Sequence, residues 1–318
     1  MSAVTDESGT RHWSPDPSIL EQVVLMLQVS DPPPHQLCSS SSHSQCVPFF
    51  SQALRDPTRS DHQQALHALN NDTSNPTFIL HLLEIFTHGD AYQGLSSDLR
   101  QLAGLIIKNY VFKQLNSLHE SDGSGVFQML KHGILQCLKD PLKDIRSTAG
   151  ILIGRICDGF PFLSWSEFIQ PLLELLQSGN DIYVDGSLRA VQRMCEDACE
   201  KLTMDTTMRP LEFLIPSLLH LFSSPEPTFR LKALESLNSL IFLVPSTPQT
   251  GGNSCALITH MGSFLSGLSH LASDENAPVR RAVCQAITLL ASFQLAILEP
   301  LMSDICRFML HAVLDQVV

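Results

Sequence analysis

No uninterrupted apolar run in the 318 residues approaches the roughly 18 that a membrane-spanning helix needs, so membrane insertion is not expected. The amino terminus has no signal-peptide core either: residues 1–17 carry charges, Pro15 and Pro17, which argues against a secretory route. The 9 cysteines are odd in number and include no Cys-x-x-Cys, so neither a disulfide framework nor a zinc ribbon is expected, and the thiols belong in a reducing compartment. Positive charge is scarce. Against 32 Asp+Glu stand 20 Lys+Arg, for a net charge of −12, and no segment gathers the basic residues that a phosphate-binding surface requires. Nucleic acid is therefore a poor partner, whereas a long-range acidic field favours basic proteins or peptides and weakens with salt. No His-Glu-x-x-His, Gly-x-Ser-x-Gly or phosphate-cradling glycine loop occurs, so the expectation is a protein that is not an enzyme and holds no cofactor.

What the chain does have is enough apolar material for a sizeable core, 44% of its residues, at a length that suits two ordinary domains or one extended array of small units. From about Pro76 onward, apolar residues recur at helical spacing, as in Phe78, Leu82, Leu83, Ile85 and Phe86 or Phe168, Leu172, Leu175 and Leu176. The breaks obey helix grammar. Asn75 before Pro76 and Ser164 ahead of Glu167 suit helix starts, and Gly89, Gly159 and Gly179 suit helix ends.

The helices repeat in pairs. Second helices align at Leu99-Arg100-Gln101-Leu102-Ala103, Ile145-Arg146-Ser147-Thr148-Ala149, Phe229-Arg230-Leu231-Lys232-Ala233 and Val279-Arg280-Arg281-Ala282-Val283, each with an apolar residue, then Arg, then a smaller residue three places on. The arginines lie 46, 84 and 50 residues apart, and Asp185 splits the long gap into 39 and 45. A period of roughly 40 to 47 residues marks a HEAT or armadillo solenoid. The fold expected is therefore all-α, a solenoid of about six to seven HEAT-type helix pairs over 14–318, after a disordered stretch at 1–13. The small residue lets the next pair approach, while Asp140 and Asp274 cap backbone groups or pair with the Arg of a neighbouring repeat. Arg100, Asp140, Arg146, Arg230, Asp274 and Arg280 thus read as a structural ladder. Residues 31–60 break the pattern with Pro32-Pro33-Pro34 and Ser39-Ser40-Ser41-Ser42. This insertion is too poor in buryable surface to order fully. A smaller break at 245–253 contains Pro248 and Gly251-Gly252.

Several blocks resemble the importin-β-like nuclear transport receptors, and most of all the branch that reads proline-tyrosine import signals. Arg100 to Asn109 resembles the second helix of the family's second repeat, with its closing Lys-Asn, and Ile145 to Ile153 is similar to the third. Trp165 to Leu173 resembles the opening of the fourth, although Ser166 stands where the family has Pro; Ala190 to Asp197, followed by Arg209-Pro210-Leu211, is the most similar stretch. The resemblance implies a right-handed stack with first helices convex and second helices concave, whose amino-terminal repeats grip the GTP-bound Ran GTPase and whose carboxy-terminal half holds import signals. On that reading the chain ends inside the seventh repeat, after a helix from about Leu298 to Val317, as a Ran-binding end without the cargo arch. Cargo is then a partner only where further repeats are present, nucleoporins are partners that the resemblance admits, and the protein shuttles between cytoplasm and nucleus.

The residues that the resemblance assigns to Ran are Lys108, Asn109, Asp185, Glu196 and Asp197. Each has a plainer reading beside it. A cation and an Asn at a helix end need only the helix dipole and termination to explain them, and an acidic pair is equally a solvated face. Asp185 holds the slot that Arg holds elsewhere. The alternative function is a HEAT scaffold of a phosphatase or ubiquitin-ligase assembly, which has no reason to carry both Lys108-Asn109 and Cys195-Glu196-Asp197. Cys195 and Cys199 lie on one helix face but want two more ligands for zinc, and read as buried thiols. His35, Cys38, His43 and Cys46 fall in the Pro/Ser segment, His62, His67, His81 and His88 share no helical face, and no metal is expected.

Overall fold

The computed structural model describes residues 3–5, 11–13, 76–88, 97–120, 125–159, 166–204, 209–243, 256–293, 298–299 and 302–314. The insertion at about 31–60, the first helix pair and the break at 245–253 lie outside the described residues. The fold is all-α, as the periodicity implies, with one small addition. Strands β1 (Ala3–Thr5) and β2 (Arg11–Trp13) pair antiparallel within the stretch read as disordered. Val, Thr and Trp in these short segments carry the strand propensity that a reading based on charge and proline overlooks.

The chain divides into two compact units, Met1–Cys137 and Leu138–Val318. In the first, α1 (Pro76–His88) packs on both α2 (Ser97–Glu120) and α3 (Val126–Cys137). Covered by two neighbours, α1 is apolar almost all round: Ile79, Leu82, Ile85 and Phe86 are all 0% exposed, each worth about 1.5–3 kcal/mol of burial. Arg100 on α2 is itself buried, and its guanidinium donates to the Phe86 and Thr87 carbonyls at 3.0 and 3.4 Å. It thereby serves the carbonyls that α1 leaves unbonded at its carboxy-terminal end.

The second unit is built in two layers. Second helices α4 (Lys143–Gly159), α6 (Asp181–Asp197), α9 (Pro227–Asn238) and α12 (Ala277–Phe293) pack each on the next. First helices α5 (Ser166–Leu176), α8 (Pro210–His220) and α11 (Met261–Leu271) form the other layer, with short α7 (Cys199–Met204) and α10 (Ala256–Thr259) between elements. Helix α13 (Met302–Leu314) packs on α12. It lies within the span expected from about Leu298 to Val317, whose remaining residues are partly outside the described ones.

The ladder has a regular geometry. Arg146, Arg230 and Arg280 each donate Nη1 to the two carbonyls six and five residues upstream: Asp140 and Pro141 at 2.8 and 2.9 Å, Ser224 and Pro225 at 2.8 and 3.1 Å, Asp274 and Glu275 at 2.8 and 3.1 Å. In Arg146 and Arg230 the rest of the guanidinium crosses to the next repeat. Arg230 makes a bidentate pair with Asp274 at 2.6 and 2.8 Å, and Arg146 places Nε and Nη2 on Asp185 Oδ2 at 2.9 and 2.8 Å. Asp140 and Asp274 also accept from the amides of Leu142 and Asn276, both at 2.8 Å, in the capping role their position implies.

Close approach of the second helices depends on small residues. Ala103, Ala149 and Ala233 are 0% exposed at the positions the repeat marks as small, while the fourth repeat unit places Val283 there, equally buried. Gly186 is tighter still: a Cβ there would stand 2.0 Å from the Leu138 carbonyl oxygen. The conflict is with backbone, which has no rotamer to yield. Gly186→Ala should therefore cost about 3 kcal/mol by overpacking, measured as a fall in the urea midpoint. Gly262, on α11, has open space where a Cβ would go, and Gly262→Ala should be neutral or slightly stabilising through helix propensity. Equal midpoints for the two variants would contradict this account of the packing.

Candidate functional site

The second-helix layer of the Leu138–Val318 unit carries three of the five residues singled out for a partner, and it uses them differently. Asp185 is consumed internally. Its Oδ2 accepts from Arg146 and, at 2.8 Å, from Arg189 Nε one turn along α6, while its Oδ1 accepts from Lys232 Nζ on α9. Arg146, Asp185 and Lys232 belong to three successive second helices, so one carboxylate fastens all three. Burial works against the charged form of Asp185, but hydrogen bonds from Arg189, Lys232 and Arg146 outweigh it and hold the carboxyl well below the usual aspartate range. Burial pushes Lys232 down, against the opposing pull of Asp185.

Glu196 and Asp197 close α6 on an exposed face. Glu196 Oε2 accepts from Arg193 at 2.8 Å, an exposed i,i+3 pair of small energetic value, and its Oε1 accepts from Gln192 at 3.0 Å. The Gln192 amide also reaches Glu235 on α9 at 3.2 Å. A second acid thus joins Glu196 from the neighbouring repeat. Burial raises the Glu235 carboxyl above its ordinary value, with the nearby charge of Glu196 adding to the shift. Gln192 and Glu235 are 43 residues apart in sequence and belong to no motif; only their recurrence one repeat apart on adjacent second helices signals the meeting.

Lys108 and Asn109 lie in the first unit, on α2. The helix does not end there: it runs to Glu120, because Tyr110 and Val111 continue the buried face. The explanation of this pair as helix-end residues is therefore overturned. Lys108 is half-buried and Asn109 exposed in the body of the helix.

Cys157, Cys195 and Cys199 are buried, and desolvation raises all three thiols above their ordinary value, as expected of inert core residues. Among the described residues no three His, Cys, Asp or Glu side chains converge as a metal site, and no helix is long and apolar enough to cross a membrane. His81 is buried on α1 and His88 exposed at its end, within 3.3 Å of Glu84. His35, Cys38, His43, Cys46, His62 and His67 lie outside the described residues.

Comparison with known proteins yields relatives along almost the whole chain. It is 30% identical over 304 residues to mouse Transportin-1, covering 96% of this chain and 29% of that protein. Transportin from Dictyostelium discoideum is 27% identical over 304 residues, with 96% and 28% covered. The chain thus spans less than a third of the length of these relatives. Neither name is that of an enzyme. Among solved structures, importin β superposes with a TM-score of 0.62 at 14% identity, over 80% of this chain and 30% of that one, a likeness of fold. No family model matches the chain.

The Asp185 cluster makes a direct prediction. Asp185→Asn leaves Arg146, Arg189 and Lys232 without their counter-charge and should cost about 3 kcal/mol in urea unfolding at neutral pH. Because the folded carboxyl titrates below its unfolded value, its contribution is complete above the unfolded pKa and is lost as pH falls toward the folded one. The stability gap between wild type and variant should therefore narrow steadily below about pH 4. A gap of constant size down to pH 2 would show that the charge of Asp185 is not what binds the three helices.

Proposed function

From a chain related to the transportins along nearly all of its length, we propose that this protein is part of a nuclear import receptor of the transportin type. It binds the Ran GTPase in its GTP form through the amino-terminal helix pairs and takes part in signal-dependent import of proteins, moving between cytoplasm and nucleus. The observation that carries this reading is the 96% coverage by transportin relatives, with mouse Transportin-1 at 30% identity. A layered array of helix pairs, in which each pair touches mainly its neighbours, suits the role. Such a stack flexes by small adjustments at every interface. Where further repeats hold a cargo, Ran-GTP and cargo each lower the other's affinity by one shared coupling free energy.

Lys108, Asn109, Glu196 and Asp197 are the residues we assign to Ran, all of them outside the Arg ladder. Asp185 bears on the face of Glu196 and Asp197 only through its effect on the packing of α4, α6 and α9. An acidic pair on an exposed second-helix face suits a basic patch of a GTPase, and steering by a protein of net charge −12 speeds the encounter at low salt.

Ran loaded with GTP should be retained by the purified protein in a pull-down and Ran loaded with GDP should not. The double variant Glu196→Lys, Asp197→Lys should weaken the GTP complex by roughly tenfold, about 1.4 kcal/mol, with unchanged helical content by circular dichroism. Equal retention of both nucleotide forms would return the protein to the class of general HEAT scaffolds, such as phosphatase or ubiquitin-ligase subunits.

A further inference from the structure

An open cavity of about 380 Å³ lies on the second-helix layer among α6, α9 and α12. Glu196 and Glu235 line it together with Gln192, Gln285, Asn238 and Phe242, and no lysine or arginine is among its lining residues. Both carboxylates lean on the single Gln192 amide, at 3.0 and 3.2 Å. Arg193 bonds Oε2 of Glu196, and Glu235 has no hydrogen-bonded cation among the described residues, although the charge of Lys232 acts on it from nearby. Each carboxylate offers about four lone-pair directions, most of them unused here.

Two further features are independent of the acids. Asn238 is 4% exposed; its amide nitrogen donates to the Ala282 carbonyl at 3.1 Å, yet its Oδ1 accepts nothing among the described residues. A buried acceptor without a donor carries a desolvation cost that an incoming donor would remove. Phe242 is 47% exposed, an aromatic ring presented to solvent at the rim of a polar cavity.

We propose that this cavity is a docking site for an arginine side chain presented by an extended basic segment of a partner protein. The volume is at the small end of ligand pockets, enough for a side chain and too small for a helix. The unmet requirements are those of a guanidinium. Its planar face stacks on the Phe242 ring while its five donors serve Glu196, Glu235 and Asn238 Oδ1, a combination that the compact ammonium of lysine, with three donors and no plane, does not satisfy equally. Burial, and then the nearby charge of Glu196, raise the Glu235 carboxyl against the opposing pull of Gln192 and Lys232. The site goes beyond the Ran reading: it specifies the side chain recognised and does not depend on which protein presents it.

The test uses the full chain and two capped peptides, Gly-Arg-Gly-Arg-Gly and its lysine counterpart, titrated calorimetrically at 150 mM salt. Wild type should bind the arginine peptide at least fivefold more tightly than the lysine peptide. Phe242→Ala, at an exposed position, should abolish that preference, and Glu196→Gln with Glu235→Gln should weaken both peptides at least tenfold. Glu212→Gln, on the first-helix layer, should leave both affinities unchanged. Equal affinity for the two peptides in wild type, an undiminished preference in Phe242→Ala, or an equal loss in Glu212→Gln would each overturn the assignment. No Ran is present in the assay, so failure of the Ran reading leaves its outcome unaltered.

Discussion

The carboxylate of Asp185 is the point on which the second unit turns. A charge removed from water is tolerated only when its lost hydration is replaced, and here the replacement comes from Arg146, Arg189 and Lys232 on three successive second helices. The glycines belong to the same constraint. Gly150 and Gly186 keep backbones near enough for side chains of fixed length to meet, since a Cβ on Gly150 would stand 3.1 Å from the backbone of Arg189. Elsewhere the same task falls to Arg230 and Asp274, a simpler two-member version two repeat intervals beyond Arg146 and Asp185.

This internal use of charge decides what is left for a partner. Arg146 and Arg230 spend their donors on loop carbonyls and on acids of the next repeat, whereas the acids at the end of α6 face outward. Glu196 and Asp197 are available because they lie beyond the reach of the ladder, and Glu235 joins them because α9 packs one repeat over. Repeat proteins are suited to such division of labour. Positions that fix the approach of neighbouring pairs are few and periodic, so the remaining positions on the same helices are free to carry recognition.

Periodic chemistry within single helices was legible from residue order. Arg100, Arg146, Arg230 and Arg280 each precede a buried small or β-branched residue by three places; Arg146 and Arg230 reach acids of the next repeat, whereas the bonds of Arg100 run to the Phe86 and Thr87 carbonyls of its own helix pair. Less legible were features with no local signature. Lys108-Asn109 resembles a helix terminus in composition, yet the run of buried residues at Tyr110 and Val111 carries the helix on to Glu120. Asp185 looked like a gap in the arginine series and proved to be the acceptor that the series needs. The orphan oxygen of Asn238 and the exposed ring of Phe242 carry no signal in residue order, since exposure and bonding belong to the packed state.

Residue order by itself determined the class of fold, the repeat of helix pairs, the positions of the ladder arginines and the net acidity, because each rests on local periodicity or on composition. Tertiary packing alone decided which acids are neutralised and which remain open, and that Gln192 bridges Glu196 to a glutamate 43 residues away. The physical reason is range. Helical periodicity is imposed by hydrogen bonds four residues apart, whereas the meeting of two helices, and with it the choice of charge partners, depends on how closely glycine and alanine let them approach.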